Sequence, residues 1–277
     1  MKHSLKATSA YIAAFTLSIS ASPSFAQEYQ YSTYIGLTDN NAYSATASGR
    51  FSYYFEPVDE NLGPKELAPL LNKSSSVSLG YELTNFPMGD TRDQTLGPNL
   101  GFDWVFDNDI YVELYTASES TKYKASANTS TWKTKGNGVT VGYYLTDHHY
   151  LELGNFRETD NKNETFDSLY VSAGHLKQLQ DDSYIGLRVT IENFINDDQE
   201  YNGNSYALTG SIFPNHKLSI YGTLTFVDFV DADDRKFAKL GARYFFDNSI
   251  NAGLSVQMQK EGNSWDNRQY VHIGKRF

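Results

Sequence analysis

Apolar side chains alternate with polar or small side chains along most of the chain after residue 27. In one such stretch the apolar members are Ile185, Leu187, Val189 and Ile191, and the residues between them are Gly186, Arg188, Thr190 and Glu192. Successive side chains of a β-strand point to opposite faces, so this period of two predicts strands with one apolar and one polar face.

The alternating stretches predict fourteen strands. They lie near residues 28–38, 42–56, 74–86, 95–106, 110–120, 133–146, 149–158, 165–179, 183–195, 203–213, 217–229, 235–247, 249–260 and 267–277. An even number is what one closed antiparallel barrel requires when both chain ends lie on the same side of a membrane. Merging or splitting one hairpin would give 12 or 16 strands. Closure is expected because an open sheet edge cannot face lipid.

Every second strand ends in aromatic or aliphatic residues directly before a tight turn. These endings are Tyr53-Tyr54-Phe55, Trp104-Val105-Phe106, Tyr143-Tyr144-Leu145, Ile212-Phe213 and Tyr244-Phe245-Phe246. The opposite connections are longer and polar, at residues 118–131, 158–165, 196–204, 231–235 and 261–267. Short turns with an aromatic girdle on one rim, and loops on the other, favour a transmembrane β-barrel over a soluble β-sandwich.

Residues 118–131 are the candidate for a loop that folds inward, although loops usually lie on the surface.

The composition agrees with a barrel. The chain has 21 Tyr and 17 Phe, yet its mean hydropathy is −0.51. No segment after the N-terminal region approaches the ~18 apolar residues of a membrane-spanning helix. A polar, aromatic-rich chain is expected when one face of each strand meets lipid and the other meets water.

Residues 1–26 are predicted to be a cleaved signal peptide, which makes 27–277 the barrel. Lys2 and Lys6 precede an apolar stretch, and Ser24-Phe25-Ala26 places small residues at the cleavage position. Without this leader the chain keeps 21 basic and 33 acidic residues, a net charge of −12. Such a charge makes nucleic acid an unsuitable partner, and the chain has no cysteine for a disulfide framework.

The last predicted strand ends in Phe277, in phase with the aromatic girdle. A closing strand with a terminal Phe resembles the signal that the barrel-assembly machinery of the outer membrane reads. Lys275 breaks the apolar pattern of the outward face, but a long side chain near the rim can extend its charge toward water.

The connection at residues 57–73 is longer than the other turns on its side of the barrel. Pro64 precedes Lys65-Glu66-Leu67-Ala68-Pro69-Leu70-Leu71, which predicts a brief helical turn. A packed surface loop is the ordinary interpretation. A segment tucked into the pore mouth is the alternative, because long loops often carry function.

This part of the chain resembles a known family. The run Tyr53-Tyr54-Phe55-Glu56-Pro57-Val58-Asp59, followed by Gly63-Pro64 and Leu71-Asn72-Lys73-Ser74-Ser75-Ser76-Val77-Ser78, is similar to the early region of the putative general bacterial porins of Gram-negative bacteria. The resemblance implies a passive diffusion pore in the cell outer membrane that passes small hydrophilic solutes and ions. Outer-membrane lipid and lipopolysaccharide are the expected partners of such a barrel. A homo-oligomer stays open, because typical sixteen-stranded porins are trimers but this chain is shorter than they are.

Strand parity assigns charged side chains to the barrel interior. The basic candidates are Arg50, Arg188, Lys239, Arg243 and Arg276, with His272 beside them; the acidic candidates are Glu82, Asp103, Glu113, Glu152 and Glu192. Acids concentrate on strands three to seven, and bases on strand two and strands nine to fourteen. The two groups could impose a transverse field at a constriction. Equally, they could be neighbouring charges that only pair.

Other functions find less support in the sequence. An outer-membrane hydrolase would need a Ser, His and acid constellation, and none of the six histidines falls in one, so no catalytic residue is predicted. Acidic runs such as Asp197-Asp198 lack the spacing of a calcium loop, and neither a metal nor a cofactor is predicted. A plugged structural or adhesive barrel remains the main alternative to a pore. Inward glycines, Gly142 among them, favour an opening but also ease barrel curvature.

Overall fold

The computed structural model of the chain describes residues 28–40, 44–88, 91–125, 128–179, 182–197, 202–230, 232–246, 249–261 and 264–277. The predicted signal peptide, residues 1–26, lies outside these ranges. Within them, no helix is long and apolar enough to cross a membrane.

Within the described residues, fourteen antiparallel strands form one closed barrel in which each strand pairs with its neighbours in sequence and the last pairs with the first. The strands are β1 (Glu28–Asn40), β2 (Ser44–Asp59), β3 (Ser76–Met88), β4 (Thr91–Val105), β5 (Ile110–Ala125), β6 (Asn128–Thr146), β7 (His149–Asp160), β8 (Thr165–Gln178), β9 (Tyr184–Asn196), β10 (Gly203–Asn215), β11 (Leu218–Phe229), β12 (Arg235–Phe245), β13 (Ile250–Glu261) and β14 (Ser264–Arg276). A 3₁₀ turn (Lys65–Leu67) leads into the short helix α1 (Ala68–Leu71) between β2 and β3. The predicted fold class and strand number are confirmed.

The seam of the barrel joins β1 to β14. The backbone N–H of Tyr31 donates to the carbonyl of Phe277 at 2.8 Å, and the N–H of Phe277 donates back to Tyr31 at 3.0 Å. The two rings stack with centroids 5.7 Å apart. Phe277 therefore helps to close the ring of strands and also belongs to its aromatic surface.

The two faces of the wall differ as the alternation predicts. On β8, Ser172 is 1% exposed and faces the interior, while Val171 beside it is 53% exposed and faces outward. Outward positions along the other strands include many aliphatic and aromatic side chains that are exposed. An apolar outer band with a polar interior is the arrangement of a barrel that spans a lipid bilayer.

The aromatic girdle at the short-turn rim is continuous across the seam. Outward rings of Tyr31, Tyr53, Phe55 and Trp104 follow one another at centroid distances of 5.2, 5.6 and 5.8 Å. Only part of the predicted girdle faces lipid, however. The other aromatic residues of the same strand endings point inward: Tyr54, Tyr144, Phe213 and Phe245.

The prediction of an inward loop at residues 118–131 is wrong. β5 continues to Ala125 and β6 begins at Asn128, so these residues extend a hairpin beyond the barrel wall. The segment includes Thr121, Thr129 and Thr131, and β-branched Thr favours strands. The Ser- and Thr-rich composition that suggested a loop is therefore the composition of a solvated strand pair.

Candidate functional site: the lumen and its turn-side end

The eleven ionisable residues that parity assigned to the interior all lie on the inner face of the wall. Arg50 lies on β2, Glu82 on β3, Asp103 on β4, Glu113 on β5, Glu152 on β7, Arg188 and Glu192 on β9, Lys239 and Arg243 on β12, and His272 and Arg276 on β14. They are spread around the ring rather than gathered at one point.

Three acids lie on the nearby strands β4, β5 and β7 of the inner wall. Asp103 and Glu113 are directly opposite each other across β4 and β5, and Glu152 lies two strands further on β7. Ser76 donates a hydrogen bond of 2.7 Å to Asp103. Neighbouring like charges repel, and the three carboxylates together give this part of the inner wall a negative electrostatic potential.

Arg188 compensates part of that acidic wall locally. Its Nη2 lies 2.6 Å from Oε2 of Glu152, and its Nε donates to Ser172 at 2.8 Å. The hydroxyl of Tyr111 donates to the other oxygen of Glu152 at 2.7 Å. Arg188 is thus paired with a neighbouring acid, which fits the pairing interpretation for this residue and not a role on the opposite wall.

Lys239 and Arg243 form a basic group on β12. In a ring of fourteen strands, β12 and β5 are seven strands apart and so face each other. Lys239 Nζ lies 5.7 Å from the centroid of Tyr221, and Arg243 Nε donates to Nε2 of His272 at 2.9 Å. Positive charge on β12 therefore lies on the wall opposite the strand that carries Glu113.

Inward glycines seat tyrosine rings from the neighbouring strand. An added Cβ on Gly142 would overlap the ring of Tyr111, and one on Gly174 would overlap the ring of Tyr150. The same relation joins Gly154 to Tyr170, Gly241 to Tyr221 and Gly36 to Tyr270. Because glycine has no side chain, each ring packs against the glycine backbone of the neighbouring strand. The rings therefore line the wall of the lumen and do not project toward its axis.

The connection between β2 and β3 crosses the turn-side end of the lumen. We call residues 60–75 the inward segment. It contains the 3₁₀ turn and α1, and its two ends are tied by Asn72, whose side chain accepts from the N–H of Asp59 at 3.0 Å and donates to the carbonyl of Asp59 at 2.8 Å. The predicted helical turn after Pro64 is confirmed, and the alternative of a segment tucked into the pore mouth is the one the structure has.

A buried ion triad fixes the inward segment to the last strand. Arg276 Nη1 lies 2.6 Å from Glu60 Oε1, and Lys65 Nζ lies 2.7 Å from Glu60 Oε2. Arg276 Nη2 also donates to the carbonyl of Lys65 at 2.7 Å. All three residues are less than 10% exposed, and the guanidinium lies 4.5 Å from the centroid of the Tyr29 ring. Arg276 is therefore an anchor of the segment.

Polar contacts continue across the far side of the mouth. Glu66 accepts a hydrogen bond from Ser219 and lies 3.4 Å from Arg243. The backbone N–H of Lys65 donates to the carbonyl of His216, in the turn between β10 and β11, at 2.9 Å. Glu66 thereby places a carboxylate within the basic group of β12.

Lys73 ties the end of the segment to two further turns. Its Nζ lies 2.8 Å from Asp109 and 2.9 Å from Asp147. The hydrogen bonds to these carboxylates raise the pKa of Lys73, and the hydrogen bond from Lys73 lowers the pKa of Asp147. Both shifts favour the charged forms of Lys73 and Asp147, so these two groups form an ion pair at neutral pH.

Apolar contacts seat the segment between opposite walls. Ala68 packs in a cluster with Tyr29 and Val58. Across the mouth, Leu67 and Leu71 pack against Leu176, Tyr184 and Phe213. The sequence analysis did not predict these inward apolar contacts. A signal was present, because a girdle needs aromatic residues on one face only. The strand endings before the tight turns carry aromatic residues at consecutive positions, and therefore on both faces.

The acidic loop residues make ordinary contacts where the structure describes them. Asp197 accepts hydrogen bonds from the N–H and hydroxyl of Thr165, at 2.6 and 3.1 Å. Asp198 and Asp231 lie outside the described residues. Among the residues that are described, no group of three or more His, Cys, Asp or Glu is placed to hold a metal ion.

One family of known proteins matches almost the whole chain. The family described as putative general bacterial porin matches residues 5–270. No curated protein matches the sequence.

Several solved structures share the barrel. The outer membrane protein Omp33 of Acinetobacter baumannii is 18% identical with a TM-score of 0.57, and the match covers 91% of this chain and 99% of Omp33. The CymD monoaromatic hydrocarbon channel is 9% identical with a TM-score of 0.58, covering 90% of this chain and 88% of CymD. The toluene transporter TodX of P. putida is 9% identical with a TM-score of 0.55, covering 90% of both chains. At these identities the likeness concerns the fold.

Proposed function

Because the chain belongs to the putative general bacterial porins, we propose that it forms a water-filled outer-membrane channel through which small hydrophilic solutes and ions diffuse passively. The observation that carries this proposal is the closed fourteen-stranded wall with charged residues all around its inner face. Barrels of ~16 to 18 strands leave an aqueous channel, and those of ~8 strands are filled by side chains. Fourteen strands leave room for a passage of intermediate width.

The inward segment sets the narrowest part of this proposed path. Its contacts reach from β1 and β14 on one side to β9 and β10 on the other. Solutes would pass between the segment and the wall, beside Glu66, Arg243 and Lys239. The eleven inward charges would line the rest of the path, with the acids of β4 to β7 facing the bases of β12. We propose no catalytic step and no cofactor for this passage.

The remaining parts of the proposal concern export and assembly. Residues 1–26 would direct the chain through the inner membrane and be cleaved after Ala26. Phe277, at the seam, would be the residue that the barrel-assembly machinery reads. Replacement of Phe277 by Ser should reduce the amount of barrel in the outer membrane, while the signal peptide is still cleaved.

A plugged structural barrel is the second candidate, because the inward segment has buried ionic and apolar anchors on both sides. Single-channel recording in planar bilayers separates the two. The matched pair is the wild type and a variant in which a short Gly-Ser linker replaces residues 61–71. A pore predicts discrete steps for the wild type and larger steps for the variant.

Each other outcome has a definite meaning. A silent wild type with a conducting variant would establish the plugged barrel. If neither protein conducts although both are folded, the channel proposal is wrong. Hydrolysis of phospholipid or peptide by the purified wild type would instead support an enzyme.

A further inference from the structure

A cavity lies inside the lumen between the inward segment and the wall formed by β10 and β11. Its volume is about 290 Å³. The inward segment contributes Glu66 and Leu67, and the wall contributes the other lining residues, which are Thr209, Ser211, Phe213, Ser219, Tyr221 and Thr223. Since a water molecule occupies about 30 Å³ in the liquid, the cavity has the volume of about ten waters. This volume fits a solute of monosaccharide size.

Hydroxyl groups cover the wall of this cavity, and two of them are available to a solute. Thr209 and Thr223 bond to each other through their hydroxyls at 3.0 Å. Ser211 and Tyr221 lie directly opposite each other across β10 and β11. Their hydroxyls have no hydrogen-bond partner among the residues that the structure describes. Because a hydroxyl group both donates and accepts, this pair can bind the hydroxyl groups of a solute.

A cation without a carboxylate partner flanks the loop-side end of the cavity. Lys239 lies directly opposite Thr223 across β11 and β12, and its Nζ lies 5.7 Å from the centroid of the Tyr221 ring. Within the described ranges, no carboxylate lies at ion-pairing distance from Lys239. Arg188 differs, because Glu152 pairs with it. Lys239 is therefore placed to bind a negatively charged group of a solute in the cavity.

The turn-side end of the cavity supplies a hydrogen-bond acceptor and an apolar floor. Glu66 accepts a hydrogen bond from Ser219 and lies 3.4 Å from Arg243. The charge of this carboxylate is thus balanced by Arg243, while its oxygens can accept further hydrogen bonds. Leu67 packs against Phe213 at the floor, and this apolar surface matches the C–H groups of a carbon skeleton.

The two ends of the cavity select different groups of one solute. Ser219 and Thr223 are four residues apart on β11, so the two ends are about 13 Å apart. A solute with a carboxylate at one end and hydroxyl groups along its length can contact both ends at once. A neutral sugar would leave Lys239 without an anion, and a simple carboxylate would leave the hydroxyls of the wall unpaired. Polar groups that lose water without gaining a partner weaken binding.

We propose that this cavity is a binding site for small polyhydroxylated carboxylates, the class to which sugar acids of monosaccharide size belong. The carboxylate lies at Lys239, and the hydroxyl groups lie along Ser211 and Tyr221 toward Glu66. As a site on the path of a solute, it rests on the proposed channel function.

The test measures binding of gluconate to the whole barrel in detergent micelles by ligand-observed NMR titration. Glucose, which lacks the carboxylate, and propionate, which lacks the hydroxyl groups, are the comparison probes. The wild type should bind gluconate about tenfold more tightly than either probe, because a hydrogen bond to a charged group contributes more than one between neutral groups. Lys239→Gln should weaken gluconate binding about tenfold, and Ser211→Ala about threefold.

Two matched controls remove the same kinds of group elsewhere in the lumen. Arg50→Gln removes a positive charge from β2. Ser205→Ala removes a hydroxyl from the same face of β10 near its loop-side end. Both variants should bind gluconate like the wild type. An equal loss of affinity in Arg50→Gln would show that the net charge of the lumen, and not a site at Lys239, attracts the anion.

Two further results would overturn the proposal: equal affinities of the wild type for gluconate, glucose and propionate, or unchanged gluconate affinity in both Lys239→Gln and Ser211→Ala. Single-channel recording of the same preparation in KCl separates this proposal from the channel proposal. Conducting steps that gluconate does not block would reject the binding site and leave the channel. Gluconate binding by a folded protein that shows no steps would support the site and reject the channel.

Discussion

Arg276 and Glu60 form a buried ion pair of 2.6 Å although 216 residues separate them along the chain. Arg276 lies on the last strand, and Glu60 begins the segment that crosses the turn-side mouth. The pair therefore joins the mouth of the barrel to its seam. Lys65 completes the triad from within the segment, so the position of the segment depends on a carboxylate shared by two cations.

Replacing this carboxylate should release the inward segment. In Glu60→Gln, Arg276 and Lys65 lose their common partner inside the protein, and removal of one partner of a buried pair costs about 3 to 5 kcal/mol. We expect trypsin to cleave the folded barrel after Lys65 or Lys73 much faster than in the wild type, and the single-channel steps to become larger. Glu56→Gln, at an exposed carboxylate on β2, the strand that precedes the segment, is the control. Equal cleavage of wild type and variant would show that the triad does not hold the segment.

The opposed charges of β5 and β12 should set ion selectivity. Lys239→Gln removes positive charge from one wall, so the reversal potential in a salt gradient should shift toward cation selectivity. Asp103→Asn with Glu113→Gln should shift it toward anions. Lys135→Gln, on the outer face, should leave it unchanged. If the reversal potential is unchanged both in Lys239→Gln and in Asp103→Asn with Glu113→Gln, these residues do not lie along the path of the ions.

Arg188 should behave differently from Lys239, because Glu152 neutralises it locally. Arg188→Gln leaves Glu152, whose side chain is 9% exposed, without its cation, so we expect a lower thermal stability with a selectivity shift toward cations. Adding Glu152→Gln should restore much of the stability and cancel the shift. Thermal unfolding in detergent and reversal potentials check the two effects. A double variant no more stable than Arg188→Gln would contradict the pairing.

The bridge from Lys73 to Asp109 and Asp147 predicts a pH dependence. The pKa of Asp147 lies below its usual ~3.9, so the stabilisation is present above pH ~4 and is lost as the pH falls through the lowered pKa. The pKa of Lys73 is raised, so the bridge persists up to alkaline pH. The melting temperature of Lys73→Met should therefore fall below that of the wild type at pH 7, and the difference should shrink as the pH is lowered through the pKa of Asp147. A constant difference across this range would rule out an ionic contribution.

The rings that lie on glycine predict a sharp difference between two similar substitutions. Gly142→Ala would force the Tyr111 ring from its seat and break its hydrogen bond to Glu152. Overpacking of this kind costs about 1 to 3 kcal/mol. Gly210→Ala should be close to neutral, because nothing lies within 4 Å of an added Cβ there. Thermal unfolding of the two variants compares them directly, and equal melting temperatures would contradict the steric argument.

The wall could be predicted from the sequence because its cause is local. Leu187, Val189 and Ile191 face outward because apolar residues alternate with polar or small residues along this strand, and the sequence shows this alternation directly. Strand number followed from the spacing of the turns. The strand ends were less predictable: residues 118–125 and 128–131 look like a loop in composition but continue the hairpin of β5 and β6.

The mouth could be predicted only as an alternative. The length of the connection and Pro64 indicated a helical turn, but the contacts of Glu60, Glu66 and Leu71 are with strands far away in sequence. No local pattern distinguishes a buried Glu60 from an exposed one. The pairing of Arg188 with Glu152 was also hidden, because parity gives the face of a residue and not the direction in which a long side chain extends along it.

Arg276 lies on β14 at the seam, so the contacts that hold the inward segment are complete only when the barrel is closed. Until β14 pairs with β1, Glu60 and Lys65 lack the guanidinium that completes their triad, and the Tyr29 ring lacks its contact with Arg276. Docking of residues 60–75 by this triad therefore requires the pairing of β14 with β1. We expect a protease to cleave this segment faster in molecules whose seam is open.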